Sequence, residues 1–265
     1  MAHILITNDD GIQAEGLRAL VQAVEGLGTI SVVAPSHERS ASAQSLTLRQ
    51  PIFWEQVAER EWAVEGTPAD SVILALNKLL PKRPDLVISG INRGGNLGEN
   101  IFYSGTVGAA MEAAINHIPA IAMSVAHKGR GCRFEPAAKF ARDLAQLTLA
   151  EGMPDGVLLN VNVPLVWSGS VRATRQSKKV TRNVLQEGTD PRGRSFYWLH
   201  EQEHIEGLDP KSDYAAIFDG AASITPLHLD RTHESSLDHL SGWAAKLESG
   251  AENAEPVPVA RTNPK

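Results

Sequence analysis

The first 35 residues combine two apolar runs with one amphipathic segment between them. The runs 3–7 and 29–34 have the length of buried strands, and the segment 14–27 places leucine and valine at helical spacing. Two strands that are joined through a helix lie parallel in one sheet, because a parallel pair needs a long crossover connection. This strand–helix–strand unit therefore predicts an α/β fold.

The same alternation continues to about residue 164. Further elements are predicted by the same patterns: strands 62–64, 85–89, 120–125 and 157–163, helices 67–80, 107–117 and 136–150, and an extended edge segment 46–54. We therefore expect residues 1–164 to form a core in which helices cover a mainly parallel sheet.

The pattern changes after residue 164. Two segments, 184–187 and 195–199, flank the turn-prone sequence 189–193 and predict a β-hairpin arm. An isolated hairpin is marginal in water, so we expect the arm to pack on the body of the protein or on another subunit.

A short helix, a strand and a longer helix complete the predicted C-terminal extension, 165–248. They are expected from residue 212, at 222–227 and at 237–247. Residues 249–265 contain three prolines and are predicted to be a disordered tail.

Composition excludes several classes of protein. The net charge is −6, from 25 Lys+Arg and 31 Asp+Glu, so we expect no broad basic surface for long nucleic acids. No apolar run is long enough to span a bilayer, and the single Cys132 excludes an internal disulfide or a thiolate zinc cluster. Because the N-terminus shows no secretory pattern, we expect a cytoplasmic protein that does not bind membranes.

Asn8, Asp9, Asp10 and Gly11 directly follow the first predicted strand. Two adjacent carboxylates at the end of a buried strand are costly unless a cation or hydrogen-bond donors offset their charge. The tetrapeptide alone is equally compatible with an ordinary turn, since Asn, Asp and Gly are common turn formers. Other parts of the chain must decide between a turn and a metal or phosphate site.

Oxygen-bearing side chains follow three separate predicted strands: Asp9 and Asp10, Ser40, and either Asn92 or Asn96. Ligands bind outside the carboxyl ends of the strands in open α/β sheets, so we expect these groups to face one crevice. Carboxylate, hydroxyl and amide oxygens suit Mg²⁺ or Mn²⁺ and suit zinc poorly. Taken singly, the serine and the asparagines are also explained as loop and turn residues.

Ser104, Gly105 and Thr106 open a predicted helix of small residues. Its first amides and the neighbouring hydroxyls form an anion site, although capping the helix is an equally common role. A cation beside this anion site implies hydrolysis of a phosphomonoester by a metal-activated water, with the amides stabilising the phosphoryl oxygens. Asp10 is our candidate for removing the proton of that water.

Several long motifs occur in order along the chain: ILITNDDG, VVAPSHERSASAQSLTL, GTPADSV, DLVISGINRGGNLG, YSGTVGAAMEAA, DPRG and SDYAAIFDGAASITPL. With these motifs the sequence resembles, over nearly its whole length, the survival protein E (SurE) family of metal-dependent nucleoside monophosphate phosphatases. The resemblance implies a Rossmann-like three-layer core and an extension whose hairpin and terminal helix mediate homodimers or homotetramers. It also implies hydrolysis of 5′- and 3′-nucleoside monophosphates.

The resemblance further implies roles for individual residues. One Mg²⁺ or Mn²⁺ per subunit would be held by four residues: Asp9, Asp10, Ser40 and Asn92. Contacts with the phosphate are implied for five residues: Asn8, Asn96, Ser104, Gly105 and Thr106.

The chain departs from the family pattern at three positions and in its tail beyond residue 249. Glu15 stands where proline is usual, Ala41 where glycine commonly follows the ligand serine, and Gly95 where proline is frequent. None of these changes removes an implied ligand, but Ala41 and Gly95 alter the loop shapes on which base preference depends.

Two other functions are compatible with the sequence. A phosphotransferase that forms an aspartyl-phosphate commonly carries acids spaced D-x-D, whereas Asp9 and Asp10 are adjacent. A nucleotide-binding regulatory protein without turnover is suggested by the glycine-rich loops and the predicted arm. Fold alone does not distinguish these functions from hydrolysis.

Overall fold

The computed structural model describes residues 1–127, 131–178, 181–203 and 208–251. Two compact units divide the chain, one spanning Met1–Leu229 and the other beginning at Asp230.

Strands and helices alternate through the first unit, as the sequence predicts. The strands are β1 (Ala2–Thr7), β2 (Gly28–Pro35), β3 (Trp54–Ala58), β4 (Glu61–Val64), β5 (Leu86–Arg93), β6 (Ala120–Ala126), β7 (Val157–Pro164), β8 (Val171–Ala173), β9 (Thr181–Thr189), β10 (Ser195–Glu203) and β11 (Ala222–His228). The α-helices are α1 (Glu15–Val24), α2 (Pro68–Leu74), α3 (Gly105–Ile115), α4 (Glu135–Glu151), α5 (Asp213–Phe218) and, in the second unit, α6 (Leu237–Ala251).

Nine strands form one sheet in the order β3-β4-β2-β1-β5-β6-β7-β11-β8. β1 pairs in parallel with β2 and β5, and parallel pairing continues from β5 through β6 to β7. β3 and β11 run antiparallel to β4 and β7. The predicted α/β fold with a mainly parallel sheet is therefore confirmed.

The alternation of side chains along β1 divides the core into two layers. Ile4 and Ile6 pack on one face of the sheet and Leu5 on the other, and all three are fully buried. α1 and α4 pack against each other in the first layer, whereas α2 and α3 cover the second. Burial on both faces explains why this strand is a continuous apolar run.

α2 and α3 begin where the sequence predicts helix starts. Thr67 caps α2 through a capping box with Asp70, and Ser104 caps α3 by accepting a hydrogen bond from the Val107 N–H. The regular helix α2 ends at Leu74, and the chain continues to Leu79 as a π-helical turn. The α-helical part is therefore shorter than the predicted helix 67–80.

The prediction of an extended strand-like edge at 46–54 is wrong for most of its length. β3 begins only at Trp54 and pairs antiparallel with β4. Thr47 donates its amide N–H and its hydroxyl to the Asp70 carboxylate, at 3.0 and 2.6 Å. Hydrogen bonds to the start of α2 replace sheet pairing in this segment.

The predicted extension contributes strands to the central sheet. β11 pairs with β7 and β8 pairs with β11, so the sheet continues past residue 164. A domain boundary at that residue stays a prediction. β9 and β10 form a separate antiparallel sheet, which confirms the predicted hairpin.

The second unit contains α6, on which Leu240, Trp243 and Leu247 are exposed. The predicted tail, 249–265, lies outside the described residues after Ala251. Among the helices that the structure describes, none is both long and apolar enough to cross a membrane.

Candidate active site

The ends of β1 and β5 and the start of α3 border an open cavity of ≈ 430 Å³. Five residues predicted from the sequence line it: Asp9, Ser40, Asn92, Asn96 and Ser104. The structure therefore brings the three predicted strand-to-loop junctions and the predicted helix start to one place.

Asp9 is buried, with 4% of its surface exposed. Its Oδ1 accepts a hydrogen bond from the Thr106 hydroxyl, and its carbonyl accepts one from the Arg39 N–H at 2.7 Å. Burial raises the pKa of Asp9, and the hydrogen bonds from the Thr106 hydroxyl and amide oppose that shift. Asp9 thus contacts both the start of α3 and the serine-rich loop after β2.

Asp10 lies beside Asp9 and is partly buried. Its Oδ2 accepts a hydrogen bond from the Arg93 N–H at 3.3 Å. Burial and, secondly, the charge of Asp9 raise the pKa of Asp10 to about 6. The pair is destabilised by its own negative charge, which a bound cation would offset.

Ser40 lies exposed in the loop after β2, where its hydroxyl donates to Glu38 Oε1 at 2.6 Å. The next residue, Ala41, has a φ of 56°, in the left-handed region that glycine adopts most easily. Ala41 is therefore strained at a position whose backbone suits glycine.

Asn92 and Asn96 lie on either side of the glycine pair 94–95. Asn92 Nδ2 donates to the Gly94 carbonyl at 2.7 Å, which makes Oδ1 the side-chain atom suited to a cation. Asn96 is 8% exposed, and its Nδ2 donates to Ser124 Oγ at 2.8 Å. Both asparagines line the cavity, although the residue pattern alone left them as alternatives.

Asn8 is not among the residues that line the cavity. It is fully buried, and its Nδ2 donates to the Gly11 carbonyl at 2.9 Å. Its Oδ1 is buried without a hydrogen-bond partner among the described residues. The side chain shapes the turn after β1, and its implied contact with phosphate stays a prediction.

α3 begins directly against the acid pair. A Cβ at Gly105 would lie 2.8 Å from Asp9 Cβ and 2.7 Å from Ser42 Oγ, so a residue with a side chain does not fit without displacing them. The first amides of the helix carry a partial positive charge and lie at this point. A phosphate could bind here, beside two carboxylates, only with a cation to neutralise them.

The hairpin arm contributes to the same cavity. Asn183 of β9 and Leu199 and Glu201 of β10 line it, and Asn100 Nδ2 donates to Glu201 Oε2 at 3.3 Å. The sequence analysis missed these residues, because no local pattern tells where an arm lies against a sheet. Tyr103, also a lining residue, was missed as well.

The donor set limits the kind of cation that this cavity could hold. In the part of the chain that the structure describes, no group of three or more His, Cys, Asp and Glu side chains could hold a metal ion. A cation at the acid pair would therefore need the serine hydroxyl and the asparagine amide as further ligands. Such an all-oxygen set suits Mg²⁺ or Mn²⁺.

The fold and the cavity define an open α/β protein whose candidate ligand site lies at the carboxyl ends of parallel strands. The family model for survival protein SurE matches residues 4–184, and the chain belongs to that family. The resemblance of the sequence is therefore confirmed.

Similar proteins match along most of the chain. A protein of Geobacter metallireducens named 5′-nucleotidase SurE is 45% identical, over 91% of this chain and 96% of the relative. A Geotalea uraniireducens protein of the same name is 46% identical, over 91% of this chain and 98% of its own length. The crystal structure of the SurE protein from Aquifex aeolicus has a TM-score of 0.83 at 38% identity, covering 91% of this chain and 99% of that one.

Proposed function

We propose that this chain is a 5′-nucleotidase that hydrolyses nucleoside 5′- and 3′-monophosphates to nucleoside and phosphate, with one Mg²⁺ or Mn²⁺ per subunit. The observation that carries the proposal is the hydrogen bond between Thr106 and Asp9, which holds the acid pair against a helix start. The name 5′-nucleotidase SurE, carried by relatives over most of the chain, supports the same activity.

Four residues supply oxygen ligands that fit such a cation: Asp9, Asp10, Ser40 and Asn92. Three of them line the cavity, and Asp10 lies next to Asp9. Asp9 is buried and Asp10 partly buried, so a cation at this place would offset the cost of their charges. When bound, the cation would lower the pKa of a water molecule and polarise the phosphoryl group.

The first turn of α3 is the part of the chain that we assign to the phosphate. The Val107 and Gly108 amides donate to the hydroxyl and the carbonyl of Ser104, at 3.1 and 3.0 Å. We assign the Gly105 N–H and the side chains of Ser104 and Asn96, at the cavity wall, as hydrogen-bond donors to the phosphoryl oxygens. Donors that are fixed before the substrate binds stabilise the charge that develops during phosphoryl transfer.

Thr106 and Asn8 are fully buried, so their implied phosphate contacts stay predictions. In the structure Thr106 holds Asp9, and Asn8 holds the turn at Gly11. Both residues thereby set the position of the acid pair.

Asp10 is the residue that we assign to proton transfer. Without a bound cation, burial and then the charge of Asp9 raise its pKa to about 6. A carboxylate beside the proposed cation site is placed to act as a general base toward water there. Oδ2 is held by the Arg93 N–H, so Oδ1 is the oxygen assigned to accept the proton.

The arm side of the cavity is where we place the nucleoside. A volume of ≈ 430 Å³ is in the range of small-molecule sites, about 300–1,000 Å³. Tyr103 and Leu199 offer exposed apolar surface there, beside the polar side chains of Asn100 and Glu201. This mixture suits a base and its sugar.

We also propose that the C-terminal extension forms a homodimer or homotetramer. At least 60% of the surface is exposed for each of four apolar arm residues: Leu185, Tyr197, Trp198 and Leu199. Leu185, Tyr197 and Leu199 share one face of the hairpin, and exposed apolar side chains on one face are typical of an interface. A cytoplasmic location and a lack of binding to long nucleic acids or membranes stay predictions.

A panel of phosphomonoesters tests the proposed activity. Phosphate release from 5′- and 3′-nucleoside monophosphates and from p-nitrophenyl phosphate is measured with Mg²⁺, with Mn²⁺ and with chelator. We expect release from the nucleotides with a divalent cation. Tight nucleotide binding without release under every condition would favour a regulatory protein instead.

A further inference from the structure

A row of polar side chains crosses the sheet near the cavity. The sheet register aligns four of them across neighbouring strands: Asn92 on β5, Ser124 on β6, Asn162 on β7 and Ser223 on β11. Residues in register share one face of a sheet. The last three are fully buried; Ser124 and Asn162 have hydrogen-bond partners, and Ser223 Oγ has none among the described residues.

Asn162 finds its partner in the main chain of Asn96. The Asn96 N–H donates to Asn162 Oδ1 at 2.8 Å, and Asn162 Nδ2 donates to the Asn96 carbonyl at 3.0 Å. Asn160, two residues earlier on the same face, donates its Nδ2 to the same carbonyl at 2.8 Å. β7 thus holds the Asn96 main chain through three hydrogen bonds. Ser124 Oγ accepts a further one from Asn96 Nδ2.

Two glycines, Gly94 and Gly95, precede Asn96 in the loop after β5. Gly94 adopts a φ of 119°, which residues with a side chain rarely do. The hydrogen bonds with Asn160 and Asn162 hold the Asn96 main chain from outside this loop. Holding both the N–H and the carbonyl fixes the rotation of the residue as well as its location, and so fixes where Asn96 lies in the cavity wall.

We propose that Asn162 is a positioning residue for the phosphate-binding loop, with Asn160 and Ser124 in supporting roles. This inference rests on the proposed function, because it takes Asn96 as a phosphate contact. Asn160 Oδ1 is buried without a hydrogen-bond partner among the described residues. An apolar side chain at 160 would avoid that desolvation cost, and the Asn96 carbonyl would keep the hydrogen bond from Asn162, so stability alone does not explain a buried asparagine at position 160.

Three variants separate positioning from general stability. Asn162→Ala removes both ends of the two-point contact, whereas Asn160→Ala removes one of two donors to the Asn96 carbonyl. Asn77→Ala is the matched control, because Asn77 is exposed and donates only to the nearby Ile73 carbonyl among its described contacts.

Two measurements need no turnover. They are hydrogen exchange of the Asn96 amide and calorimetric binding, first of Mn²⁺ alone and then of inorganic phosphate to the Mn²⁺-loaded protein. We expect Asn162→Ala to lose amide protection and to weaken phosphate binding by about 100-fold, as a displaced binding group does. Asn160→Ala should weaken phosphate binding less. Mn²⁺ binding should stay close to wild type in both, and Asn77→Ala should change none of these quantities.

Retained protection of the Asn96 amide in Asn162→Ala, or an equal loss of phosphate and Mn²⁺ binding, would overturn the proposal. If Asn162→Ala does not fold, Asn160→Ala and Ser124→Ala decide, and unchanged phosphate binding in both would also overturn it. Wild-type protein that releases no phosphate from any nucleotide would refute the proposed function instead. Amide exchange at Asn96 would still test the contact itself.

Discussion

Thr106 and Asp9 lie 97 residues apart in the sequence, and the Thr106 hydroxyl donates a hydrogen bond to Asp9 Oδ1. The bond connects the end of β1 with the first turn of α3. Asp9 is a proposed cation ligand and α3 is part of the proposed phosphate site. This contact therefore couples the cation site with the phosphate site. A change at Thr106 should therefore act on the acid pair.

Replacing Thr106 tests this coupling. Thr106→Val keeps the shape of the side chain but removes the donor, so we expect kcat/KM for AMP to fall by about 10-fold or more. The free energy of unfolding should fall by about 1–2 kcal/mol, since a buried carboxyl group loses a hydrogen bond. Steady-state kinetics and urea unfolding measure both effects. Thr106→Ser keeps the hydroxyl and should behave like wild type. A kcat/KM for Thr106→Val equal to that of wild type would contradict the coupling.

Asp10 should make the metal-free protein less stable at neutral pH. Burial and then the charge of Asp9 raise its pKa to about 6, from the ordinary value of 3.8. The folded state thus holds the proton more tightly than the unfolded chain. Protonation of Asp10 therefore stabilises the folded state. This stabilisation is fully present below about pH 4 and is lost as the pH rises through 6.

Asp10→Asn should therefore be more stable than wild type at pH 7 in the presence of chelator. We expect a difference of about 1–2 kcal/mol, after allowance for the partial exposure of the side chain. The difference should vanish below about pH 4. Urea unfolding of both proteins from pH 4 to pH 8 provides the test, and a wild type that is the more stable protein at pH 7 would show the assignment to be wrong.

Much of the fold follows from local pattern. β1 is a continuous apolar run because both of its faces are buried, and the caps Thr67 and Ser104 mark helix starts through their own side chains. Asp9 and Ser40 could be predicted as cavity residues because each lies in the loop that follows a strand of a parallel sheet.

Other parts of the site depend on contacts between distant segments. Glu201 reaches the cavity only because the arm lies over it, and no spacing in the chain encodes that placement. Asn160 and Asn162 did carry a signal, since two asparagines at spacing i, i+2 in a buried strand place both amides on one face. Their partner, Asn96, is 66 residues from Asn162 and could not be found from the strand alone.

Gly105 should tolerate no side chain. The Cβ of alanine would lie 2.8 Å from Asp9 Cβ, so we expect Gly105→Ala to displace Asp9 and to lower the free energy of unfolding by about 1–3 kcal/mol. Phosphate release from AMP should fall as well. Gly242→Ala serves as control, because no atom lies within 4 Å of the added Cβ and alanine favours the helix there. Wild-type activity in Gly105→Ala would mean that the start of α3 is not closely packed against Asp9.

Ala41→Gly should stabilise the protein. Ala41 has a φ of 56°, a conformation that costs a residue with a Cβ about 1–2 kcal/mol, and glycine relieves it at a smaller entropic cost. We expect a net gain of about 0.5–1 kcal/mol in the free energy of unfolding. Ala58→Gly, in the exposed strand β3, should instead lose stability. A loss in both variants, measured by thermal unfolding, would mean that Ala41 is not strained.

Phosphate release from AMP by one preparation of the purified protein tests the central claim most directly. The rate is measured after chelation, after Mn²⁺ or Mg²⁺ is restored, and for Asp9→Asn. We predict that release stops with chelator and returns with the cation, and that folded Asp9→Asn releases none under either condition. Full release in excess chelator, or by the folded Asp9→Asn variant, would contradict a cation-dependent site built on the acid pair.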